Sequence, residues 1–324
     1  MNKLIFLLII NLFFCIQKKA PPANALLATS ATTNVSVGAP KSIGLDLVTN
    51  NRSWNRGCET RVGNLIADSF AWKANADIGT ANGGNVRDDQ NVPTIKKGTI
   101  PDNTLFGKFL IFKNQIYLTQ INAYRLKQAL ENSNRQLTTT RIAASTDDND
   151  VDGPQHGNCY SSGSGSGRLL YVSSNLSVDV TVANTPMTVT GSAASNNLAT
   201  GVTGARITRM FVKGVMIYNN PTGSFTSGWA NGTSSCTVKQ TSFTNSAACN
   251  QYTLASVDFQ VNGGDGNFSF NPDVAPSEFS GDSPASAAII KKDLGIDAEI
   301  VYDYVQTFIN GPVFPRVTGR LNIF

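Results

Sequence analysis

The chain has 324 residues, 41% of them hydrophobic and 15% charged, with a net charge of +4 and a single histidine. That length suits one large or two ordinary domains. The modest charge, with no basic run longer than lysine pairs such as Lys18-Lys19 and Lys96-Lys97, argues against nucleic-acid binding, which draws on a concentrated basic stripe; a few placed arginines can still hold a phosphate.

The N-terminus has the form of an export signal. Lys3 precedes an apolar run from Leu4 to Phe14, broken only by Asn11, and Cys15 stands at its end. Such a run is too short to span a bilayer and suits a signal-peptide core. With Gln17-Lys18-Lys19 following, it predicts a signal peptide over residues 1–14, a lipid on Cys15 and a tether over 15–44 that carries Pro21-Pro22. Phe14 is bulkier than the small residue usual before a lipidated cysteine, and cleavage after Ala23-Asn24-Ala25 is the alternative. The expectation is an exported protein, lipid-anchored to the bacterial cell envelope or otherwise periplasmic or secreted, whose folded region spans 45–324. Beyond Cys15, Cys58, Cys159, Cys236 and Cys249 remain. An even count in an exported protein favours disulfides, and three pairings are open. The preferred one staples a Ser/Thr/Asn-rich excursion with Cys236–Cys249, leaving Cys58–Cys159. No cysteine pair has zinc-ligand spacing, so no metal site is expected from them.

In chain order, Glu59 to Trp72 places Val62, Leu65, Ile66 and Phe70 at helical spacing. Ala76 to Thr80 reads as a buried strand running into Asn82-Gly-Gly-Asn-Val-Arg87. Pro101 suits the first turn of a short helix ending near Phe109. Gln115 to Ile121 is a strand and Ala123 to Asn132 a helix with Leu126 and Leu130 inward. Residues 133–168 read as a long loop insertion, and 184–203 and 220–250 as further polar excursions. Strands are expected at Arg168–Val172, Ser177–Val182, Ala205–Tyr218, Tyr252–Val257 and Arg316–Ile323, with a helix over Ile296–Ile309. The mixture points to an α+β fold, a mixed β-sheet with packed helices and long Ser/Thr/Gly-rich loop insertions.

Two glycine-rich turns carry the chemistry: Asn82-Gly-Gly-Asn-Val-Arg87 and Phe259-Gln-Val-Asn-Gly-Gly-Asp-Gly266. Arginine clamps phosphate through a planar fork of donors, and Arg87 closes the first turn while Arg52 and Arg56 precede the first long helix. Asn82 and Gly84 can bring an amide and backbone N–H groups to a ligand. Phe112 and Phe259, on separate loops, could sandwich a flat base, although either ring taken alone is a candidate for core packing. Asp265, beside Gly264, can accept hydrogen bonds from ribose hydroxyls.

In order along residues 50–323, this series resembles the C-terminal, substrate-binding domain of the 5′-nucleotidase family, which includes periplasmic UDP-sugar hydrolases. Arg56-Gly-Cys-Glu59, Gly63-Asn-Leu-Ile-Ala-Asp68, Gly98-Thr-Ile100, Phe112-Lys-Asn114, Gly204-Ala-Arg-Ile207 and Gly319-Arg-Leu321 corroborate the two specific turns. The resemblance implies that Phe112 and Phe259 sandwich the base and Asp265 meets the ribose. Arg56, Asn82 and Arg87 would meet the phosphates, with Arg52 a weaker addition. Two departures stand out. Ile111 replaces the usual proline, which is expected to loosen the Phe112 loop. Asn85 replaces a third glycine, a change tolerable at positive φ. The insertions 133–168 and 220–250 are expected to cover or crowd the site.

In that family, hydrolysis belongs to an N-terminal metallophosphatase domain whose two divalent metals, held by Asp, His and Asn, activate water. The residues before Arg52 read as signal and tether and hold one acidic residue, Asp46, and no histidine. No catalytic residue is therefore assigned to this chain, and divalent metals would belong to a separate metallophosphatase chain. His156 is expected to be solvated in a polar loop. Gly163-Ser-Gly-Ser-Gly167 is low-complexity rather than a nucleophile elbow. Asp148, Asp150 and Asp152 with Gly153 match the opening of a calcium loop, but Cys159 stands where a bidentate glutamate is needed. A solvated acidic loop is preferred there over a Ca²⁺ site. The sequence thus favours an exported nucleotide-binding domain acting in nucleotide catabolism with a partner metallophosphatase. The alternative is a surface interaction or adhesion lipoprotein with a vestigial pocket.

Overall fold

The computed structural model describes residues 42–48, 51–87, 94–142, 154, 156–162, 167–187, 204–238, 241–266, 287–308 and 312–324, all within the unit Val37–Phe324. Cys15, Asp148, Asp150 and Asp152 lie outside these residues, as do the expected signal peptide and nearly all of the tether. The folded part reaches back slightly ahead of residue 45: Ser42–Ile43 pairs antiparallel with Gly98–Thr99, and Ile43 is buried.

Helix α1 (Arg52–Gly57) starts at Asn51, whose side chain accepts from the Trp54 N–H. Helix α2 (Arg61–Ala74) starts at Thr60, whose hydroxyl accepts from Gly63 N–H, and stops at Asn75, which takes the left-handed conformation with φ 48°. These are ordinary helix start and stop signals. The expected stripe of Val62, Leu65, Ile66 and Phe70 is buried. Strand β1 (Ile78–Asn82) follows, then β2 (Ile116–Asn122) and α3 (Ala123–Asn134), with Asn122 capping the helix through Arg125 N–H. The remaining main elements are β3 (Leu170–Val172), β4 (Leu176–Val180), β5 (Ile207–Val212), β6 (Val215–Asn219), β7 (Gln251–Val257), β8 (Ala287–Lys291), α4 (Asp297–Gln306) and β9 (Leu321–Ile323).

A five-stranded sheet runs β8-β2-β7-β1-β3 and a four-stranded sheet runs β6-β5-β4-β9. Within the first, β7 is parallel to β1 and antiparallel to β2; β1 is antiparallel to β3, and β8 to β2. Helix α2 packs on β1 and on α4. Mixed pairing with packed helices is the expected α+β class.

Some elements differ from the expectation. The single strand over Ala205–Tyr218 is the hairpin β5-β6, because Lys213 (φ 51°) and Gly214 (φ 76°) turn the chain. A two-residue turn with positive φ at both positions is what a twisted hairpin requires. The short helix after Pro101 is one turn, Thr104–Gly107. The closing helix spans Asp297–Gln306 and the final strand Leu321–Ile323. The 133–168 insertion is not all loop, since Leu137–Arg141 and Tyr160–Ser162 pair antiparallel. Helix α1 and strand β8 were not anticipated.

Both preferred disulfides form, Cys58–Cys159 with Cα atoms 4.6 Å apart and Cys236–Cys249 at 5.7 Å. The second closes an excursion with its own small core of Phe225, Val238 and Phe243 around Tyr124 of α3. It is anchored where α3 begins: Ala123 N–H donates to Asn250 O (2.9 Å) and Lys127 Nζ to Gly223 O (3.0 Å). The Lys127 ammonium also lies 3.7 Å from the Phe225 ring centroid and 2.9 Å from Glu131 Oε1, fully buried. Glu131 in turn accepts from the Arg206 and Ile207 N–H groups.

Candidate functional site

Strand directions bring the two glycine turns together. Because β1 and β7 are parallel, Gly83-Gly84 after Asn82 and Phe259 after Val257 leave the sheet at the same end. The antiparallel β2 and β3 enter there, so Phe112 ahead of Ile116 and Arg168 ahead of Leu170 reach that end too. Strand β8 leaves toward it and leads into Asp297 at the start of α4. This register is fixed by hydrogen bonds: Asp258 N–H to Gln115 O (2.8 Å), Gly83 N–H to Leu169 O (2.7 Å) and Leu294 N–H to Ile116 O (2.9 Å).

The turns meet directly. Asn82 Nδ2 donates to Asp265 Oδ2 at 2.9 Å across a sequence separation of 183. Gly84 N–H donates to Gly167 O at 2.9 Å, and a Cβ on Gly84 would sit 2.8 Å from the Gly167 Cα, so this close backbone approach requires glycine. A Cβ on Gly83 would collide with the Asn55 carbonyl and lie 3.4 Å from Arg56 Cα, which places α1 against the turn. Arg56 is buried, and its charge acts on the Tyr171 hydroxyl, a donor to Asn55 O at 2.8 Å. Arg52 lies one turn earlier on the same helix, exposed.

Phe112 and Phe259 are 50% and 48% exposed, too open for the core positions that either ring could have taken alone. The Arg87 guanidinium lies 4.9 Å from the Phe112 ring centroid, a cation–π arrangement. Arg87 N–H donates to Phe109 O at 2.9 Å, while its buried Nε has no hydrogen-bond partner among the described residues. Phe259 sits in the helical turn Asp258–Val261, and a Cβ on Gly264 would meet its ring at 2.6 Å. Asp265 adopts the left-handed conformation (φ 55°).

The Asn85 departure has a different basis from the one expected. Asn85 does not take positive φ; its side chain joins a buried network instead. Asn114 Nδ2 donates to Asn85 Oδ1 (2.6 Å), and Asn85 Nδ2 donates to Asp297 Oδ2 (3.2 Å). Asp297 N–H donates to Asn114 O (3.0 Å). This network pins the Phe112 loop despite Ile111. Burial pushes the Asp297 carboxyl up to about 6, against the opposing hydrogen bonds from Asn85, Ala298 and Asn114.

Four further residues were not anticipated as part of the site. Asn132, near the C-terminal end of α3, donates to Asp265 O at 3.0 Å, and Arg168 Nη1 donates to the same oxygen. Arg168 Nε donates to Gln136 Oε1 at 3.2 Å. Arg135 caps α3 and feels the charges of both Arg168 and Asp265. Asp297 completes the set.

The two insertions behave differently. The 133–168 insertion returns through Gly167 and Arg168 into the site. The 220–250 excursion packs on the opening turns of α3, at the opposite end of the sheet, and does not crowd it. His156 is also a correction: it is buried, its ring centroid 4.2 Å from that of Trp54 and its Nδ1 3.2 Å from Cys159 Sγ. A backbone bridge between Thr60 and His156 draws this loop inward. Among the described residues, Cys58, His156 and Cys159 group metal-type ligand atoms, and the two sulfurs are bonded to each other. A cavity of about 630 Å³ opens beside this disulfide, lined in part by His156, Asn158 and Asn322, apart from the glycine turns.

Aromatic faces, guanidinium groups and the carboxylates of Asp265 and Asp297 thus gather at one end of a mixed sheet in an α+β domain. The family model described as "5′-nucleotidase, C-terminal domain" matches residues 32–271. The chain belongs to the 5′-nucleotidase C-terminal domain family. Among solved structures, the 5′-nucleotidase precursor of Thermus thermophilus is similar at 20% identity and a TM-score of 0.52, over 89% of this chain and 40% of that one. The NAD nucleotidase of Haemophilus influenzae is similar at 14% identity and a TM-score of 0.48, over 86% of this chain and 36% of that one. This chain thus spans well under half the length of either. Comparison by sequence with curated proteins gives no match.

Proposed function

We propose that this chain is an exported, lipid-anchored nucleotide-binding protein, tethered through Cys15 and serving as the substrate-binding half of a nucleotide-catabolising pair. Phe112 and Phe259 stack on the two faces of the base, Asp265 accepts from the ribose, and Arg56, Asn82 and Arg87 hold the phosphate side, with Arg52 at its margin. The observation that carries this reading is the Asn82–Asp265 hydrogen bond. It joins the phosphate-side turn to the ribose-side turn, while both rings remain half-exposed. Stacking on an exposed ring is tolerant of base identity, so affinity for several nucleotides is expected. Hydrolysis requires a metallophosphatase chain that supplies the metals and the activated water. Anchoring both chains in one membrane lowers the entropic penalty of bringing them together.

Nucleotide titration of the purified chain tests this. Binding that weakens strongly in Arg87→Ala and Phe259→Ala is expected. No detectable binding would overturn the reading and favour a surface interaction protein with a vestigial pocket. Metal-dependent nucleotidase activity in this chain alone would remove the need for a partner.

A further inference from the structure

Arginines stand on both sides of the joined turns. Arg56 and Arg87 belong to the first. On the other side, Arg168 is tied by its Nη1 to the Asp265 carbonyl and by its Nε to Gln136. Arg135, which caps α3, feels the charge of Arg168 and has a buried Nε with no hydrogen-bond partner among the described residues. Among the described residues no carboxylate forms an ion pair with either guanidinium. Asp265 is the acidic group acting on both, and its Oδ2 is already engaged by Asn82. Two guanidinium groups against one carboxylate leave one positive charge in excess.

That excess is held at a cost. Burial first, and the like charge of Arg168 second, push the Arg135 guanidinium down to about 10, with Asp265 offsetting part of this. Burial likewise lowers Arg168. An orphaned guanidinium donor and a locally uncompensated charge are the condition that a bound oxyanion relieves, because it accepts the free N–H and neutralises the repulsion.

We propose that Arg135 and Arg168 form a second anion subsite, which takes a phosphate monoester on the 2′- or 3′-hydroxyl of the ribose. This rests on the reading that Asp265 faces the ribose. It makes the preferred ligand a nucleotide phosphorylated at both ends of its sugar, with Arg56 and Arg87 on the 5′-phosphate and Arg135 and Arg168 on the other.

Calorimetric titration of the full chain with adenosine 5′-monophosphate, adenosine 2′,5′-bisphosphate and adenosine 3′,5′-bisphosphate is the test. At least one bisphosphate should bind about ten-fold tighter than the monophosphate. The two bisphosphates distinguish which hydroxyl carries the recognised group. In Arg135→Gln the bisphosphate should bind no tighter than the monophosphate binds to that same variant, and Arg135→Lys should retain part of the gain. A thermal melt of each variant checks folding. Bisphosphates that bind no tighter than the monophosphate, or a gain that survives in folded Arg135→Gln, overturn the subsite while leaving the nucleotide-binding reading intact. Failure of all three ligands to bind removes both.

Discussion

Gly84→Ala is the most informative single perturbation of this site. The new methyl would lie 2.8 Å from Gly167 Cα, 3.3 Å from Gly167 O and 3.2 Å from Asn82 Nδ2. Carbon atoms pack at about 3.5–4.0 Å, so the Gly167 backbone must retreat by about 1 Å or the turn must tilt. Overpacking of this size costs about 1–3 kcal/mol of stability. The binding consequence is separate. Gly167 leads into Arg168, and Asn82 holds Asp265, so both supports of the Asp265 turn are disturbed by one methyl. Losing a hydrogen bond to a charged group removes about 1.5–3 kcal/mol, which corresponds to affinity weakened on the order of 10- to 100-fold. Urea denaturation and nucleotide titration measure the two effects. Gly107→Ala is the control, because nothing lies within 4 Å of its added Cβ; it should be neutral or stabilise by up to about 1 kcal/mol. If Gly84→Ala kept both its urea midpoint and its affinity within two-fold, the coupling of the two turns through this contact would be refuted.

Other outcomes follow from the same structure. The Asp297 carboxyl titrates near 6 in the native state against an ordinary value of 3.8. The native state therefore binds the proton more readily, and the contribution of this group to stability is full below about pH 4 and lost as pH rises through about 6, a difference of at most about 3 kcal/mol. Asp297→Asn should flatten that part of the melting-temperature profile; an unchanged slope between pH 4 and 6 would contradict the assignment. Lys127→Met leaves Glu131 buried without its ammonium partner and should cost about 3 kcal/mol or more in urea unfolding, and a neutral result would show that the two backbone donors suffice. Removing Cys58–Cys159, which spans 101 residues, should cost about 4–5 kcal/mol on chain-entropy grounds, against about 3 kcal/mol for Cys236–Cys249, which spans 13. Urea midpoints of the two double-serine variants that rank in the reverse order would contradict this.

Helix α2, strands β1, β2 and β7, and both glycine turns were legible because their signals are local: an apolar stripe at helical spacing, a short buried run, paired glycines. The disulfide pairing was reachable through the compact excursion between Cys236 and Cys249. The supports of Asp265 were not legible. Asn132 and Arg168 reach its carbonyl across separations of 133 and 97 residues, and nothing in their neighbourhoods marks them as other than surface polar residues. Asn85 and Asp297 meet across 212 residues for the same reason. His156 misled because a Gly- and Asn-rich setting suggests solvent, whereas Trp54 and a backbone bridge to Thr60 bury it. The break between β5 and β6 was available in Lys213-Gly214, a turn signal overlooked inside an apolar stretch.

The disulfide between Cys58 and Cys159 has a consequence for how the chain responds to a backbone cut. Any single cut between these cysteines yields two fragments that remain one covalent molecule, with α1 still bound to the segment that returns through Gly167. The smaller Cys236–Cys249 loop gives the same insurance to the excursion on α3. A nicked chain should therefore run as two bands only after reduction, so that damage to the backbone and separation of the two glycine turns are distinct events.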